Sequence, residues 1–72
     1  METVETIPIT VNGEPMTAPS GATVTQLLES LALRTGRVAI ERNLQILKRS
    51  EWASTQVAAG DRYEIVQFVG GG

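Results

Sequence analysis

The stretch Thr23–Leu31, TVTQLLESL, determines which fold the chain can adopt, because it carries the one clear amphipathic helix signal. Thr23 and Gln26 have the spacing of a capping box, in which each residue's side chain accepts from the other's backbone amide. Behind this cap, apolar residues recur at i, i+3, i+4 and i+7, as Val24, Leu27, Leu28 and Leu31. We expect the helix to end near Arg34, with Gly36 as a left-handed cap.

A β-hairpin is predicted before this helix. Ile7, Ile9 and Val11 alternate with polar residues or proline, which is typical of a strand. Asn12-Gly13 follows, a pair that tolerates the positive φ angles of a tight hairpin turn. The return strand is expected from about residue 14 to residue 18, before the break at residues 19–21. Because Pro15 cannot donate to a ladder, this strand should lie at an edge of the sheet.

The second half of the chain predicts three further strands. The first begins at residues 38–40 and turns at Asn43 into a short strand over residues 45–47. Residues 48–59 lack a periodic pattern and are expected to form an irregular loop, anchored by Trp52 and Val57. Gly60-Asp61 is a turn signal. The last and strongest strand is expected from Tyr63 to Val69, and it leads directly into three glycines.

This order of elements predicts an α+β fold of the β-grasp, ubiquitin-like type. A single amphipathic helix buries its apolar stripe on one face of a sheet of four to five strands. The last strand should pair in parallel beside the first, in the centre of a mixed sheet. We expect one domain over residues 1–69, and a flexible glycine tail over residues 70–72. The predicted core is Ile9, Val11, Val24, Leu27, Leu28, Leu31, Val38, Ile40, Leu47, Val57, Tyr63 and Ile65.

The composition limits the function. The 72 residues include neither cysteine nor histidine, so thiolate metal sites and the usual neutral-pH general base are absent. The net charge of −2 and the dispersed basic residues argue against nucleic-acid binding. No apolar run approaches the roughly 20 residues that span a bilayer. The acidic N-terminus does not look like a secretory signal, so we expect no membrane association and a cytoplasmic location.

Several segments together resemble the ThiS family, the sulfur carriers of thiamine biosynthesis. The resemblance covers nearly the whole chain from about Ile7, and its internal motifs are individually weak. The terminal glycines on a β-grasp order of elements are the specific part. The matching segments are ITVNGE at residues 9–14, TVTQLL at 23–28, VAIERN at 38–43, RSEW at 49–52, GDRYEIV at 60–66 and FVGGG at 68–72.

The resemblance implies a carrier that is modified by other proteins and is not itself an enzyme. The carboxylate of Gly72 would be adenylated by an E1-like adenylyltransferase of the ThiF type, which uses ATP and magnesium. Sulfur from a donor such as a cysteine desulfurase would then replace AMP and give a thiocarboxylate. A thiazole synthase of the ThiG type would take up this sulfur. The chain itself would bind no metal and no cofactor.

Simple chemistry agrees with such a role for the glycine tail. A terminal carboxyl has a reference pKa of about 3.3–3.7, so at neutral pH it is ionised and can attack a phosphate. The groups that stabilise the reaction must then come from the partner. Gly70 and Gly71 lack Cβ atoms, which lets the tail enter a narrow channel and adopt dihedral angles closed to other residues.

The last strand also suggests a docking surface. If Tyr63 and Ile65 face the helix, then Val66 and Phe68 point to the other side of the sheet, which is open to water in a one-helix fold. They would form an exposed apolar patch, with Val69 at its edge, for a partner protein. We expect the acidic side chains of Glu41, Glu51 and Asp61 to be solvated or in turns. The basic side chains of Arg42, Lys48, Arg49 and Arg62 could make rim contacts with an acidic partner, but we favour solvated positions for them.

Other functions remain open on sequence grounds. The small subunit of molybdopterin synthase shares the fold, the diglycine end and the thiocarboxylate, although that group tends to have prolines just before its terminus. A protein modifier joined to lysines through Gly72 is a variant of the same chemistry. A passive β-grasp module that binds through its sheet face and never reacts is the alternative from another class.

Overall fold

A computed structural model describes residues 5–33 and 37–68. In chain order, the elements are strand β1 (Thr6–Val11), strand β2 (Glu14–Pro19), helix α1 (Val24–Ser30), strand β3 (Val38–Arg42), strand β4 (Gln45–Leu47), a 3₁₀ helix (Arg49–Ser54) and strand β5 (Arg62–Gln67). The predicted hairpin, helix and later strands are therefore confirmed as elements. The last strand begins one residue earlier than expected, at Arg62, and ends at Gln67, so Phe68 lies just beyond it. The predicted loop at 48–59 is wrong in part, because it contains the 3₁₀ helix.

The five strands form one mixed sheet in the order β2-β1-β5-β3-β4. Strand β5 pairs in parallel with β1 through Thr10 opposite Arg62 and Val11 opposite Tyr63. From Tyr63 to Gln67 it pairs antiparallel with the whole of β3. The last strand thus lies beside the first in the sheet centre, as predicted, and Pro15 lies on the edge strand β2. The return strand extends one residue further than expected, to Pro19.

Helix α1 begins with the predicted capping box. The Gln26 amide donates to Thr23 Oγ1 at 3.2 Å, and the Thr23 amide donates to Gln26 Oε1 at 2.9 Å. The N-terminus of the helix is therefore closed by its own side chains, and the buried stripe faces the sheet.

The helix ends earlier than the sequence suggests, at Ser30. Ala32 takes a positive φ of 57°, its amide donates to the Glu29 carbonyl, and the Leu33 amide donates to the Leu28 carbonyl. This pair of bonds is a Schellman motif, which is usually closed by glycine and here is closed by alanine. The prediction of a helix end near residue 34 is therefore wrong, and residues 34–36, with the proposed Gly36 cap, lie outside the described part.

The core lies between α1 and the inner face of the sheet. Nine of the predicted core residues are buried, whereas Leu31, Val38 and Leu47 are only partly buried because they lie near the ends of their elements. Ala18, Ala22 and Trp52 are also buried. Trp52 Nε1 donates to the Leu47 carbonyl at 3.1 Å, so Trp52 anchors the 3₁₀ helix to the end of β4, as expected.

Candidate functional site

The side chains of strand β5 alternate between the inner face of the sheet, toward the helix, and the outer face. Tyr63 and Ile65 are buried under the helix, and Tyr63 is only 1% exposed. Val66 and Phe68 point away from the core, with 53% and 57% of their surfaces exposed. The predicted division of this strand is therefore confirmed, and the structure places two large apolar side chains where a partner can reach them.

The apolar surface is larger than the sequence indicated. Ala39 lies directly opposite Val66 across β3 and β5, and Ile46 on β4 is 79% exposed. We call Ala39, Ile46, Val66 and Phe68 the outer apolar face. Sequence reasoning missed Ala39 and Ile46, because a three-residue strand such as β4 is too short to show which residues alternate outward.

A groove of about 200 Å³ lies within this outer apolar face. Ala39, Ile46 and Val66 form its apolar walls, and the carboxylates of Glu41 and Glu64 border it. These two glutamates are direct neighbours across β3 and β5, and both are exposed. Like charges placed directly opposite each other in an antiparallel pair are destabilising.

Where β5 begins, Asp61 connects three separate segments. Its carboxylate accepts from the Tyr63 hydroxyl at 2.8 Å, the Ala58 amide at 2.9 Å, Arg42 Nε at 3.0 Å and Asn43 Nδ2 at 3.1 Å. Asp61 lies at the end of a turn, as one alternative had it, because its amide donates to the Ala58 carbonyl. It is only 5% exposed, so the other alternative, a solvated carboxylate, is wrong. The expectation of a solvated Arg42 is also wrong, since this side chain pairs with Asp61.

The protonation equilibria of this network follow from burial and hydrogen bonding. Burial disfavours the charged Asp61 carboxylate, but the hydrogen bonds from Ala58, Asn43, Tyr63 and Arg42 outweigh it and lower its pKa. Burial, together with the bond to Asp61, raises the pKa of Tyr63 to about 12. The hydrogen bond to Asp61 raises the pKa of Arg42. All three groups keep their neutral-pH charge states, which suits a structural role.

Two asparagines hold the backbone of β5 from opposite sides. Asn12 and Asn43 both lie in turns, with φ angles of 51° and 52°. Asn12 Oδ1 accepts from the Ile65 amide at 2.7 Å, and Asn43 Oδ1 accepts from the Arg62 amide at 2.9 Å. The turn residues therefore fix the strand that carries Val66 and Phe68.

The end of the chain is reached directly from β5. The Phe68 amide donates to the Arg37 carbonyl at 2.8 Å, so the backbone remains tied to the neighbouring chain up to this residue. The predicted site residues Val69, Gly70, Gly71 and Gly72 lie outside the described residues, so their roles stay predictions. The same holds for the predicted boundary between a domain and a tail at residue 69.

The described residues contain neither a candidate metal centre nor a membrane-spanning helix. Within residues 5–33 and 37–68, no three acidic side chains come together as a candidate metal centre. No helix in the same part of the chain is long and apolar enough to cross a membrane. What the arrangement presents is an exposed apolar face beside a strand that leads into three glycines.

A mixed five-stranded sheet with one helix on one face, and an outer face of exposed apolar side chains, defines a β-grasp domain of the ubiquitin-like class. The sequence model of the ThiS family matches residues 9–72. The chain therefore belongs to the ThiS family.

Individual relatives agree with this assignment. The sulfur carrier protein ThiS of Escherichia coli is 38% identical over 64 residues, which cover 89% of this chain and 97% of that protein. The crystal structure of a thiamine biosynthesis protein, ThiS, from Geobacter metallireducens superposes with a TM-score of 0.77 at 36% identity. It covers 92% of this chain and 100% of that one. The β-grasp fold is thereby confirmed.

Longer proteins also contain a related stretch. A thiazole synthase of Paramagnetospirillum magneticum is 42% identical over 64 residues, which are 89% of this chain and 20% of that protein. A thiazole synthase of Magnetococcus marinus is 38% identical over 64 residues, with the same coverage. This chain thus spans about a fifth of the length of these two relatives.

Proposed function

We propose that this protein is a sulfur carrier in the biosynthesis of the thiazole part of thiamine, and that the carboxylate of Gly72 carries the sulfur. The observation that supports this most directly is the ThiS-family match, which extends through the three glycines to residue 72. The E. coli ThiS relative is related over nearly its full length, which favours the same role here.

The proposed chemistry takes place at the tail. The Gly72 carboxylate attacks the α-phosphate of ATP, pyrophosphate leaves, and an acyl-adenylate results. A sulfide-equivalent nucleophile then attacks the acyl carbon and expels AMP, leaving a thiocarboxylate. This route needs Gly72 to hold a free carboxylate, and it places the magnesium, the nucleotide and the acid–base groups on the activating partner.

The proposed partners follow from the surface and from the relatives. The outer apolar face lies on the strand that leads to the tail, so a partner that binds there also receives the glycines. In two relatives, a ThiS-like stretch and a thiazole synthase occur in one polypeptide, which supports a ThiG-type enzyme as the acceptor of sulfur. An adenylyltransferase of the ThiF type and a cysteine desulfurase are proposed for activation and sulfur supply.

A reconstitution tests the proposal. The protein is incubated with a ThiF-type enzyme, ATP, magnesium and a sulfur source, and the C-terminal peptide is analysed by mass spectrometry. We expect sulfur in place of one carboxylate oxygen at Gly72. Because oxidation adds nearly the same mass, a thiol-directed alkylating reagent must also label this peptide.

Two controls test whether labelling depends on activation of the Gly72 carboxylate. Omission of ATP should abolish labelling, since the carboxylate is then not activated. One residue added after Gly72 should also abolish it, because the reacting carboxylate is displaced from its position. Labelling that persists in either control, or that maps to another peptide, would contradict the proposal.

A further inference from the structure

The groove within the outer apolar face combines features that a flat apolar patch does not have. The groove exists because the side chain of Ala39 is only a methyl group, whereas its neighbours in the lining, Ile46 and Val66, are larger. Its border carries two exposed carboxylates, Glu41 and Glu64, that face each other across strands β3 and β5. Their Cβ atoms are therefore about 4.5–5.5 Å apart, the usual spacing of such pairs.

No described basic side chain forms an ion pair with either glutamate. Among residues 5–33 and 37–68, the ion pair found joins Arg42 to Asp61, and neither Glu41 nor Glu64 has a basic partner. Arg62 lies two residues before Glu64 on the same strand and forms no ion pair with it in this part of the chain. Within the described residues, the sheet therefore carries a negative pair without a basic partner beside an apolar hollow, an arrangement that generally disfavours folding.

We infer that this groove receives a basic side chain, an arginine or a lysine, of the protein that binds the outer apolar face. The methylene stem of such a residue covers Ala39, Ile46 and Val66, and its cationic head lies between Glu41 and Glu64. A guanidinium suits the two carboxylates best, because its planar fork donates to several oxygens at once. The volume of about 200 Å³ accommodates one long side chain and little more.

The inference rests on the proposed function, since it gives the chemistry by which an activating enzyme or a thiazole synthase recognises this carrier. It also accounts for why a destabilising charge pair lies on a docking face. Charges that repel each other in the free protein become favourable when a cation enters between them, so they select a basic partner and disfavour acidic ones.

Binding measurements with purified ThiF-type and ThiG-type enzymes test the groove. The double variant Glu41→Gln/Glu64→Gln should bind roughly tenfold more weakly than wild type, with a weaker dependence on salt. The double variant Glu14→Gln/Glu29→Gln is a matched control, because it changes net charge equally at exposed positions outside the groove. It should bind like wild type. Ala39→Leu, which fills the hollow and keeps both carboxylates, should bind about as weakly as the first variant.

A stability measurement distinguishes a loss of partner recognition from damage to the fold. Because Glu41 and Glu64 repel each other in the free protein, Glu64→Gln should raise the denaturation midpoint while it lowers partner affinity. A variant that loses affinity and stability together would indicate damage to the sheet, and would overturn the inference.

A peptide probe makes failure of the groove distinguishable from failure of the proposed function. In an amide NMR titration, acetyl-Leu-Arg-Leu-amide should shift the signals of Ala39, Glu41, Ile46, Glu64 and Val66, whereas acetyl-Leu-Gln-Leu-amide should not. If neither enzyme binds wild type but the arginine peptide does, the proposed function fails and the groove stands. If an enzyme binds wild type and the groove variants equally, the groove fails and the proposed function stands.

Two further results count against the inference. Equal shifts with both peptides, or shifts spread over other residues, would show that no cation is recognised. Sedimentation that detects a dimer of wild type, lost in Ala39→Leu, would identify a second copy of this chain as the occupant instead.

Discussion

Asn12 pairs with the backbone of Ile65 as a neighbouring strand would. Its Oδ1 accepts from the Ile65 amide at 2.7 Å, and its Nδ2 donates to the Ile65 carbonyl at 3.1 Å. The parallel ladder between β1 and β5 has only two residue pairs, so this amide extends it where β1 turns away. Asn12 thereby forms part of the β1–β2 hairpin turn with its backbone and extends the β1–β5 pairing with its side chain.

We expect Asn12→Gly to destabilise the protein by about 1–3 kcal/mol, because both polar groups of Ile65 lose their partner. Glycine keeps the positive φ of this position, so the hairpin turn itself is preserved. Urea unfolding followed by the fluorescence of Trp52, the single tryptophan, measures the loss. An unchanged midpoint would show that water replaces the amide without cost.

Replacement of Asp61 by asparagine should cost about 2–4 kcal/mol, since an amide cannot accept from all four donors and presents donors of its own. A chain of 72 residues has roughly 4–11 kcal/mol of stability in total, so this is a large share. The control Glu14→Gln removes an exposed carboxylate and should change stability by less than about 0.5 kcal/mol.

The lowered pKa of Asp61 predicts that the stability of the protein falls at acid pH. The folded pKa of Asp61 is lowered below its unfolded value of about 3.9, so its contribution is complete above that pH and is lost as the pH falls through the folded pKa. Unfolding curves from pH 7 to pH 2 should show a loss of wild-type stability at the acid end. A smaller loss is expected in Asp61→Asn, and an equal loss in both would contradict the assignment.

Tyr63 is the only tyrosine, which allows its ionisation to be followed directly by ultraviolet absorbance. The folded protein should titrate with a pKa of about 12, and the protein unfolded in urea with a pKa of about 10. Because the folded pKa is raised, the stabilisation is complete below about pH 10 and is lost as the pH rises through about 12. Titration of the folded chain near pH 10 would mean that the Asp61 network opens in solution.

Ala32→Gly should stabilise the protein by about 0.5–1 kcal/mol, because Ala32 closes the Schellman motif with a φ of 57° that glycine adopts without strain. Ala53→Gly is the matched control. It lies in the 3₁₀ helix, and there the added backbone freedom should destabilise. A loss of stability in both variants would contradict the left-handed conformation of residue 32.

Phe68→Ala should weaken partner binding about tenfold and leave stability within about 0.5 kcal/mol, since more than half of this side chain is exposed. Leu44→Ala is the control, because Leu44 is also large and exposed but lies in the β3–β4 turn at the opposite end of β3. Binding to a ThiF-type or ThiG-type enzyme by calorimetry distinguishes the two. Equal losses would indicate nonspecific apolar contact.

Local signals in the sequence were sufficient for most of the fold. The capping box at Thr23 and Gln26, and the Asn12-Gly13 turn, act through neighbouring residues, and both form as predicted. The alternation of side chains along a strand was sufficient to predict which residues of β5 face the helix and which face solvent. The family resemblance, which rested chiefly on the terminal glycines and the order of elements, is confirmed by the ThiS match.

Features that depend on distant or unusual contacts were not predicted. The helix end was misplaced because Ala32 carries no sequence signal for a left-handed conformation. The burial of Asp61 was not predicted, because two of its partners, Arg42 and Asn43, lie far from it in the chain. The groove depends on how β3, β4 and β5 are aligned, which a pattern within one strand does not reveal.

The central position of β5 has a mechanical consequence. Hydrogen bonds between strands lie across the strand direction, so tension applied along β5 loads its bonds to both neighbouring strands in shear. Hydrogen bonds loaded in shear share the applied force, whereas an edge strand that is peeled away breaks its hydrogen bonds one after another. Under the proposed function, an enzyme that draws the glycines into a channel would therefore pull on the strand best able to withstand traction.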